Sequence, residues 1–211
     1  MSATGFMQTR IAPAINDRLR VIPSWSVYLA GSLPAVWYCW LGFNAQLGPN
    51  PISKLEHLLG EFALQLLIIG LAITPFRRLT YINLLKFRRA IGLLAFFYVL
   101  LHLLVWLVLD IQILSQILAD ILKRPYITVG MVAFAAMLPL ALTSNQWSLR
   151  KLGLHWHRLH KLTYSVCILA CVHFIMLRKG FQLEPLVYLG LIVILLVFRL
   201  NLKKNRASKF R

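Results

Sequence analysis

The chain alternates between long apolar runs and short polar segments that are rich in arginine and lysine. Six apolar runs of about 16–20 residues each are long enough to cross a hydrocarbon core of about 30 Å as α-helices. They occupy residues 25–43, 57–76, 90–109, 125–142, 159–177 and 183–198. The pattern predicts an all-α integral membrane protein with six membrane-spanning helices, the second of which ends at Thr74-Pro75.

The polar segments divide the chain into three parts. From the N-terminus, these are a cytoplasmic segment, a six-helix transmembrane domain and a basic cytoplasmic tail, at residues 1–24, 25–200 and 201–211. Within the domain, the segment 110–124 carries isoleucine at every fourth position, which predicts a short amphipathic helix between the third and fourth spans. These isoleucines are Ile113, Ile117 and Ile121.

The basic residues are distributed unevenly between the two ends of the predicted helices. Of the 23 lysines and arginines, 18 fall in the N-terminal segment, the second and fourth loops and the tail, and 5 in the other three loops. Loops rich in lysine and arginine stay in the cytoplasm, so both termini are predicted to be cytoplasmic. We therefore interpret the net charge of +17 as a signal for orientation and contact with anionic lipid, and not for nucleic-acid binding.

The composition excludes several other classes of protein. Hydrophobic residues make up 59% of the chain, which is too many for a soluble domain. The three cysteines all lie in apolar runs without a Cys-x-x-Cys pair, so neither a disulfide framework nor a zinc site is predicted. There is no phosphate-binding loop, no dinucleotide fingerprint and no evident internal repeat. If the chain is a redox protein, its reductant has to bind from outside the chain.

Two histidines lie deep inside predicted spans, where an ionisable side chain is costly unless something holds it. His102 lies twelve residues past the start of the third run, about 18 Å along the helix axis, and His173 lies thirteen residues past His160 in the fifth. Both runs point outward, so the two imidazoles are expected at one depth in the outer half of the membrane. Paired imidazoles are a common axial ligand set for haem iron. We predict that His102 and His173 bind one haem between them.

Each of these histidines has a simpler interpretation, in which it makes only an interhelical hydrogen bond. His160 lies at the inner end of the fifth run and is a candidate for a second haem or for contact with another cofactor. Thirteen residues rotate it by about 220° from His173 on an ideal helix, so the two rings are not expected to share a face. At the matching depth the third run offers Arg88 or Arg89, which does not support a second bis-histidine pair.

Other residues in or near the spans allow two interpretations each. His57 either bonds a haem propionate or only caps its helix among the lipid headgroups, and we favour the cap. Glu61 lies one helical turn after His57, where the two side chains can pair. Gly130 either leaves room for a flat macrocycle or serves close helix packing. The basic second loop contacts anionic lipid, or attracts propionates, a flavin phosphate or an acidic reductase. His155 and His157 are expected at the surface of the fourth loop.

Several short motifs resemble one known family, in order, over about residues 25–200. The most specific are KRPYITVG at residues 123–130 and the Trp156-x-x-Leu-His160-x-Leu-x-Tyr164 element that precedes His173. The others are His57-x-x-Gly60, Ile73-Thr74-Pro75, Arg88-Arg89-Ala-Ile-Gly92-Leu, Leu101-His102-Leu and Leu142-Thr-Ser144. Together they resemble the MsrQ (YedZ) family, which belongs to the ferric-reductase-like transmembrane group together with the NADPH oxidases.

The resemblance implies a haem b protein of the bacterial inner membrane with functional histidines at His102, His160 and His173. Such a protein passes electrons from a cytosolic NAD(P)H-dependent flavin reductase to a periplasmic molybdopterin enzyme, which reduces methionine sulfoxide in oxidised envelope proteins. The chain is then an electron-transfer subunit and not the catalytic one. FMN is also implied as a cofactor, although no motif locates it.

Two alternatives to this function remain open at the level of sequence. One is a ferric or quinone reductase membrane domain that serves another electron acceptor. The other is a small non-haem transporter or channel, in which Glu61, Gln65 and the histidines line a path through the membrane.

Overall fold

Helices account for nearly all of the part of the chain that the structure describes. The structure is a computed structural model that describes residues 11–178 and 182–208, with side chains described as far as Arg199. No strand occurs in these ranges. The helices are α1 (Ala12–Val21), α2 (Trp25–Phe43), α3 (Pro51–Thr80), α4 (Arg88–Leu104), α5 (Leu114–Lys123), α6 (Pro125–Leu142), α7 (Gln146–Leu152), α8 (Leu154–Leu159), α9 (Leu162–Leu177) and α10 (Leu183–Ser208).

Two short irregular helices flank α4. One turn of 3₁₀-helix, Leu85–Phe87, leads into it, and a π-helical segment, Val105–Ile111, continues it. A π-helix is rare and widens the turn by one residue. It ends at Gln112, whose φ of +61° is left-handed. The predicted amphipathic helix between the third and fourth spans is present as α5.

Helices α3, α4, α6 and α9 form the centre of the bundle. Within it, α3 packs chiefly on α4, and α6 packs chiefly on α9, while α2 and α10 lie against the outside. The buried core is lined by small and branched side chains, among them Ala63, Ala95, Val166 and Cys167. Small residues let helix backbones approach closely, which is how helices associate in a membrane.

Four of the helical stretches are long and apolar enough to cross a membrane. They are Pro51–Thr80, Leu85–Ile111, Pro125–Leu142 and Leu154–Leu177. Helix α2 also has the predicted bounds, but it contains three Trp and two Tyr, residues that favour the membrane interface. The side chains of α10 are described only to Arg199. The count of six spans and the cytoplasmic position of both termini therefore stay predictions.

Large apolar side chains cover the outside of the bundle. Leu33, Val36 and Ile194 are exposed by 60%, 65% and 63%. Surfaces of this kind are rare on soluble monomers and normal where helices face lipid. The outward-facing residues therefore agree with the membrane class that the sequence predicts.

The predicted end of the second span at Thr74-Pro75 is wrong. Helix α3 continues through Pro75 to Thr80, so Arg77 and Arg78 lie in its last turn and not in a loop. Proline removes one backbone hydrogen bond, whereas ending the helix inside the bilayer would leave several backbone groups without partners. The helix ends instead at Tyr81, whose φ is +61° and whose N–H donates to the carbonyl of Arg77.

The boundaries near the basic loops also differ from the sequence prediction. Helix α3 begins at Pro51 and not at residue 57, so His57 lies in its second turn. Helix α9 begins at Leu162, which leaves His160 in the turn that follows α8. The angle of about 220° between His160 and His173, which assumed one continuous helix, therefore does not describe this chain.

Tyr98 joins α4 to the backbone of α2 beside Pro34. Its fully buried hydroxyl donates to the carbonyl of Gly31 at 2.7 Å and accepts from the N–H of Ala35 at 2.9 Å. These two backbone groups are one helical turn apart and are partners in an ideal α-helix. The tyrosine hydroxyl thus ties α4 to one turn of α2.

We expect Tyr98→Phe to lower the stability of the bundle in detergent by about 1–3 kcal/mol, because it leaves two buried backbone groups without the hydroxyl. Thermal unfolding followed by circular dichroism measures the change. Tyr28→Phe, on the same helix as Gly31, is the matched control, since its hydroxyl makes no hydrogen bond within the described residues. Equal melting temperatures for both variants would contradict this role.

Candidate functional site

His102 of α4 and His173 of α9 face each other across the bundle. Their ring centroids lie 6.3 Å apart and their planes are nearly perpendicular, at 81°. Both side chains are partly buried. The two helices carry the histidines to one depth, so the structure brings together the pair that the sequence predicts.

The backbone of α3 fixes the orientation of His102. The Nδ1 of His102 lies 2.9 Å from the carbonyl oxygen of Glu56. A carbonyl only accepts, so Nδ1 carries the proton and Nε2 keeps its lone pair. The carboxylate Oε1 of Glu56 is 4.0 Å from Nε2, too far for a hydrogen bond.

His173 is held in the same way by the backbone of α6. Its Nδ1 lies 2.6 Å from the carbonyl oxygen of Tyr126, so Nδ1–H donates and Nε2 is left as an acceptor. Metal-binding histidines almost always donate their second ring N–H to a carboxylate, a carbonyl or water. Both imidazoles of the pair therefore show the tautomer and the supporting bond of a metal ligand.

The spacing of the two rings suits one metal ion between them. An imidazole nitrogen binds a metal at about 2 Å, and the ring centroid lies about 1 Å behind that nitrogen, so two rings on opposite sides of one ion have centroids about 6 Å apart. The observed distance is 6.3 Å. Within the described ranges no cluster of three or more His, Cys, Asp and Glu side chains is placed to hold an ion. Two imidazoles without further protein ligands would suit a haem iron, which His102 and His173 would hold between them.

A cavity of about 90 Å³ lies beside the pair, and we call it the histidine-pair cavity. Besides the two histidines, its lining includes His57, Gly60, Glu61, Gly130, Phe134 and Met137. Sequence reasoning assigned no role to Gly60, although it quoted the glycine in a motif. The lining is mostly apolar, as expected for a site that holds a flat hydrophobic group.

Glu61 supplies an acidic side chain to this cavity. Its Oε1 accepts from Gln65 Nε2 at 3.2 Å and from the Tyr188 hydroxyl at 3.1 Å. The same Gln65 nitrogen lies 2.9 Å from the Tyr188 oxygen. The pairing of Glu61 with His57 that the sequence allowed is not formed; His57 lies against the backbone carbonyl of Ser53. Glu61 instead ties α3 to α10.

His160 lies at the other end of the bundle. Its ring stacks on Trp156, with centroids 3.8 Å apart, and its Nε2 lies 3.1 Å from the hydroxyl of Thr143. That hydroxyl donates its proton to the carbonyl of Pro139 at 2.6 Å, so the His160 nitrogen is the donor. Nε2 of His160 is therefore not a free ligand in this arrangement.

His160 borders a larger cavity of about 510 Å³, which we call the His160 cavity. Its described lining carries cationic side chains and no carboxylate; the cations are Arg88, Arg89 and Lys161. Tyr164 also lines it, and the Tyr164 hydroxyl accepts from Arg199 at 2.9 Å. Neither Arg88 nor Arg199 forms an ion pair with a described acid. A partly buried guanidinium without a counter-charge is costly, so this cavity favours an anionic occupant.

The two cavities lie end to end in the four-helix centre. Leu67 of α3 and Met137 of α6 line both of them. The remaining candidates of the fourth loop, His155 and His157, are exposed, and His157 is at the rim of the His160 cavity. The structure therefore brings His102 and His173 together and leaves His160 apart from them.

Comparison with known proteins places the chain in a family. Residues 59–171 match the family model described as the ferric reductase like transmembrane component. A relative from Agrobacterium fabrum is 46% identical over 204 residues, which covers 93% of this chain and 95% of the relative. Its name is protein-methionine-sulfoxide reductase heme-binding subunit MsrQ. The chain belongs to the MsrQ family.

Further MsrQ relatives agree with this result. One from Brucella ovis is 50% identical over 186 residues, which covers 88% of this chain and 84% of the relative. One from Brucella suis has the same identity and coverage and the same name. The matched ferric-reductase-like region runs from α3 into α9, and thus contains most of both cavities. No solved structure matches the chain.

Proposed function

We propose that the chain is a membrane cytochrome b, the haem-binding subunit of a protein-methionine-sulfoxide reductase system. It carries electrons from a cytosolic NAD(P)H-dependent flavin reductase to a periplasmic molybdopterin enzyme that repairs oxidised proteins. The observation that carries the proposal is the opposed pair His102 and His173, at a spacing that suits one iron. The MsrQ relatives support it, because their names describe heme-binding subunits.

The proposed roles of the two histidines follow from their tautomers. Each Nδ1–H is committed to a backbone carbonyl, and each Nε2 is left to bind the iron. His102 and His173 would hold a haem b from both sides, and the group would supply one-electron transfer without a free protein-ligand position for a substrate. The apolar lining of the cavity, with Phe134 and Met137, holds the hydrophobic ring and excludes water.

The proposed orientation places the histidine pair in the outer half of the bacterial inner membrane. The 18 basic residues at the other end of the helices support this orientation through the positive-inside rule. The His160 cavity then opens towards the cytoplasm, where the reductase delivers electrons. The cationic face around it suits an acidic reductase and anionic lipid.

FMN is the second cofactor of the proposal, and the His160 cavity is its candidate site. The cavity combines cationic side chains with aromatic ones, and its described lining has no carboxylate. A flavin phosphate supplies a counter-charge for Arg88 and Arg89. The flat ring of the flavin suits the apolar wall of the cavity. A second haem with His160 as ligand is the competing occupant. Its binding requires His160 to give up the hydrogen bond between its Nε2 and the hydroxyl of Thr143.

We expect His102→Ala and His173→Ala each to abolish the low-spin haem spectrum, because one imidazole cannot complete the axial set. Reduced-minus-oxidised absorbance and a pyridine haemochrome assay of purified protein measure it. His155→Ala is the matched control, since His155 is exposed and lies outside both cavities. A wild-type Soret band in both pair variants would contradict the ligand assignment, and colourless wild-type protein would favour a transporter.

The direction of electron flow is tested in inside-out membrane vesicles. We expect NADPH and a flavin reductase, added outside, to reduce the haem within seconds, and a molybdopterin methionine sulfoxide reductase enclosed in the lumen to reoxidise it when methionine sulfoxide is present. Vesicles without the enclosed enzyme are the control. Reoxidation by ferric chelate or quinone, but not by the molybdoenzyme, would instead favour the ferric or quinone reductase interpretation.

We expect Arg88→Gln to lower the FMN retained per protein by at least several-fold, because it removes a partly buried cation of the His160 cavity. Fluorescence of FMN released from purified protein measures it, and Arg150→Gln, on an exposed position of α7, is the control.

The haem-to-protein ratio of His160→Ala decides whether FMN or a second haem occupies the His160 cavity. An unchanged ratio agrees with FMN, and a ratio that falls by half assigns a second haem to His160.

A further inference from the structure

We infer that Gly60 and Gly130 are positioning residues for His102 and His173, because each glycine opens a helix carbonyl to an imidazole of the neighbouring helix. The inference rests on the proposed haem function and gives these two motif glycines a role within it. The two glycines lie on α3 and α6, the partners of the helices that carry the histidines.

The first contact is between α3 and α4. A Cβ atom added at Gly60 would lie 3.0 Å from Nδ1 and 3.2 Å from Cε1 of His102. A side chain at position 60 would therefore press on the imidazole, which would have to move by a few tenths of an ångström. The carbonyl that this imidazole bonds belongs to Glu56, four residues before the glycine.

The second contact repeats the first between α6 and α9. A Cβ at Gly130 would lie 2.8 Å from Nδ1 and 2.9 Å from Cε1 of His173. The carbonyl bonded by His173 belongs to Tyr126, again four residues before the glycine. Distances below 3.0 Å are shorter than real Cβ contacts, so an alanine at position 130 forces the ring to move.

The spacing of four residues has a physical reason. In an α-helix the carbonyl of residue i bonds the N–H of residue i+4, so it points towards that residue. The oxygen has a second lone pair, and it can accept another bond if no side chain covers it. Glycine at i+4 leaves it uncovered. The close approach of two helices then brings an imidazole Nδ1–H within reach.

The two contacts form equivalent halves of one site. The bonded carbonyl precedes its histidine by 46 residues in one half and by 47 in the other. The residues that supply the carbonyls, Glu56 and Tyr126, have unlike side chains, so only the backbone, the glycine and the histidine are shared. Each half holds one ring through its Nδ1–H, so its Nε2 keeps the lone pair.

The bond to the carbonyl also sets the strength of the ligand. A hydrogen bond from Nδ1–H makes the imidazole more basic, and a more basic ligand favours ferric over ferrous iron. Displacing either ring weakens that bond, so the reduction potential of the bound haem moves to a higher value. If both rings kept their interplanar angle of 81° as ligands of a haem, the ferric form would give a highly anisotropic low-spin EPR signal. A displaced ring reduces that anisotropy.

The test compares Gly60→Ala and Gly130→Ala with Gly190→Ala, in α10, where an added Cβ meets nothing within 4 Å. Full-length protein is purified in detergent, and its haem content, redox titration midpoint and ferric EPR spectrum are measured, with helix content from circular dichroism. We expect a higher midpoint and a less anisotropic EPR signal in both variants. The shift is larger for Gly130→Ala, whose Cβ contact is closer, and Gly190→Ala behaves as wild type.

The outcomes separate this inference from the proposed function. Wild-type protein without haem overturns the proposed function itself. Alanine variants that keep the wild-type midpoint and EPR signal, in a haem-loaded protein, overturn only the role of the glycines. If both variants lose their helix content while Gly190→Ala keeps it, the glycines serve helix packing alone and the inference also fails. If only Gly130→Ala misfolds, the midpoint and spectrum of Gly60→Ala decide.

Discussion

The two hydrogen bonds between imidazole Nδ1–H groups and helix carbonyls are the contacts on which the site depends. Inside a bilayer an imidazole has no water to bond, and most backbone carbonyls are already engaged in their own helix. His102 and His173 bond the second lone pair of a carbonyl on the adjacent helix. This fixes one tautomer in each ring and leaves the lone pair on both Nε2 atoms. The orientation of both rings thus results from helix packing.

The same requirement for satisfied backbone groups explains other parts of the bundle. Helix α3 crosses Pro75 because one missing bond costs less than an exposed helix end in lipid. The hydroxyl of Tyr98 bonds the α2 backbone at Gly31 and Ala35, next to Pro34, and satisfies both groups from α4. In each case a side chain or a continued helix supplies the hydrogen-bond partner that water would supply in a soluble protein. Polar contacts between helices are consequently few and specific.

Two cavities with different chemistry share one four-helix frame. The histidine-pair cavity has an apolar wall and two neutral imidazoles, which suits a hydrophobic ring held by its metal. The His160 cavity has arginine and lysine without carboxylates in its described lining, which suits an anion. Leu67 and Met137 border both, so only a short apolar distance separates them. In the proposed function, electrons enter at the His160 cavity and leave from the histidine pair.

The sequence by itself determined the membrane class, the bounds of α2 and α6, and the pairing of His102 with His173, because apolar runs and the helical rise set depth directly. It did not determine where α3 ends or that His160 lies in a turn, since both depend on local backbone bonding. The sequence also did not show that the two half-sites are equivalent. Their shared parts are a glycine, a histidine and a main-chain carbonyl. Every residue has a main-chain carbonyl, so the sequence does not indicate which ones bond an imidazole. Only the packing of α3 on α4 and of α6 on α9 decided it.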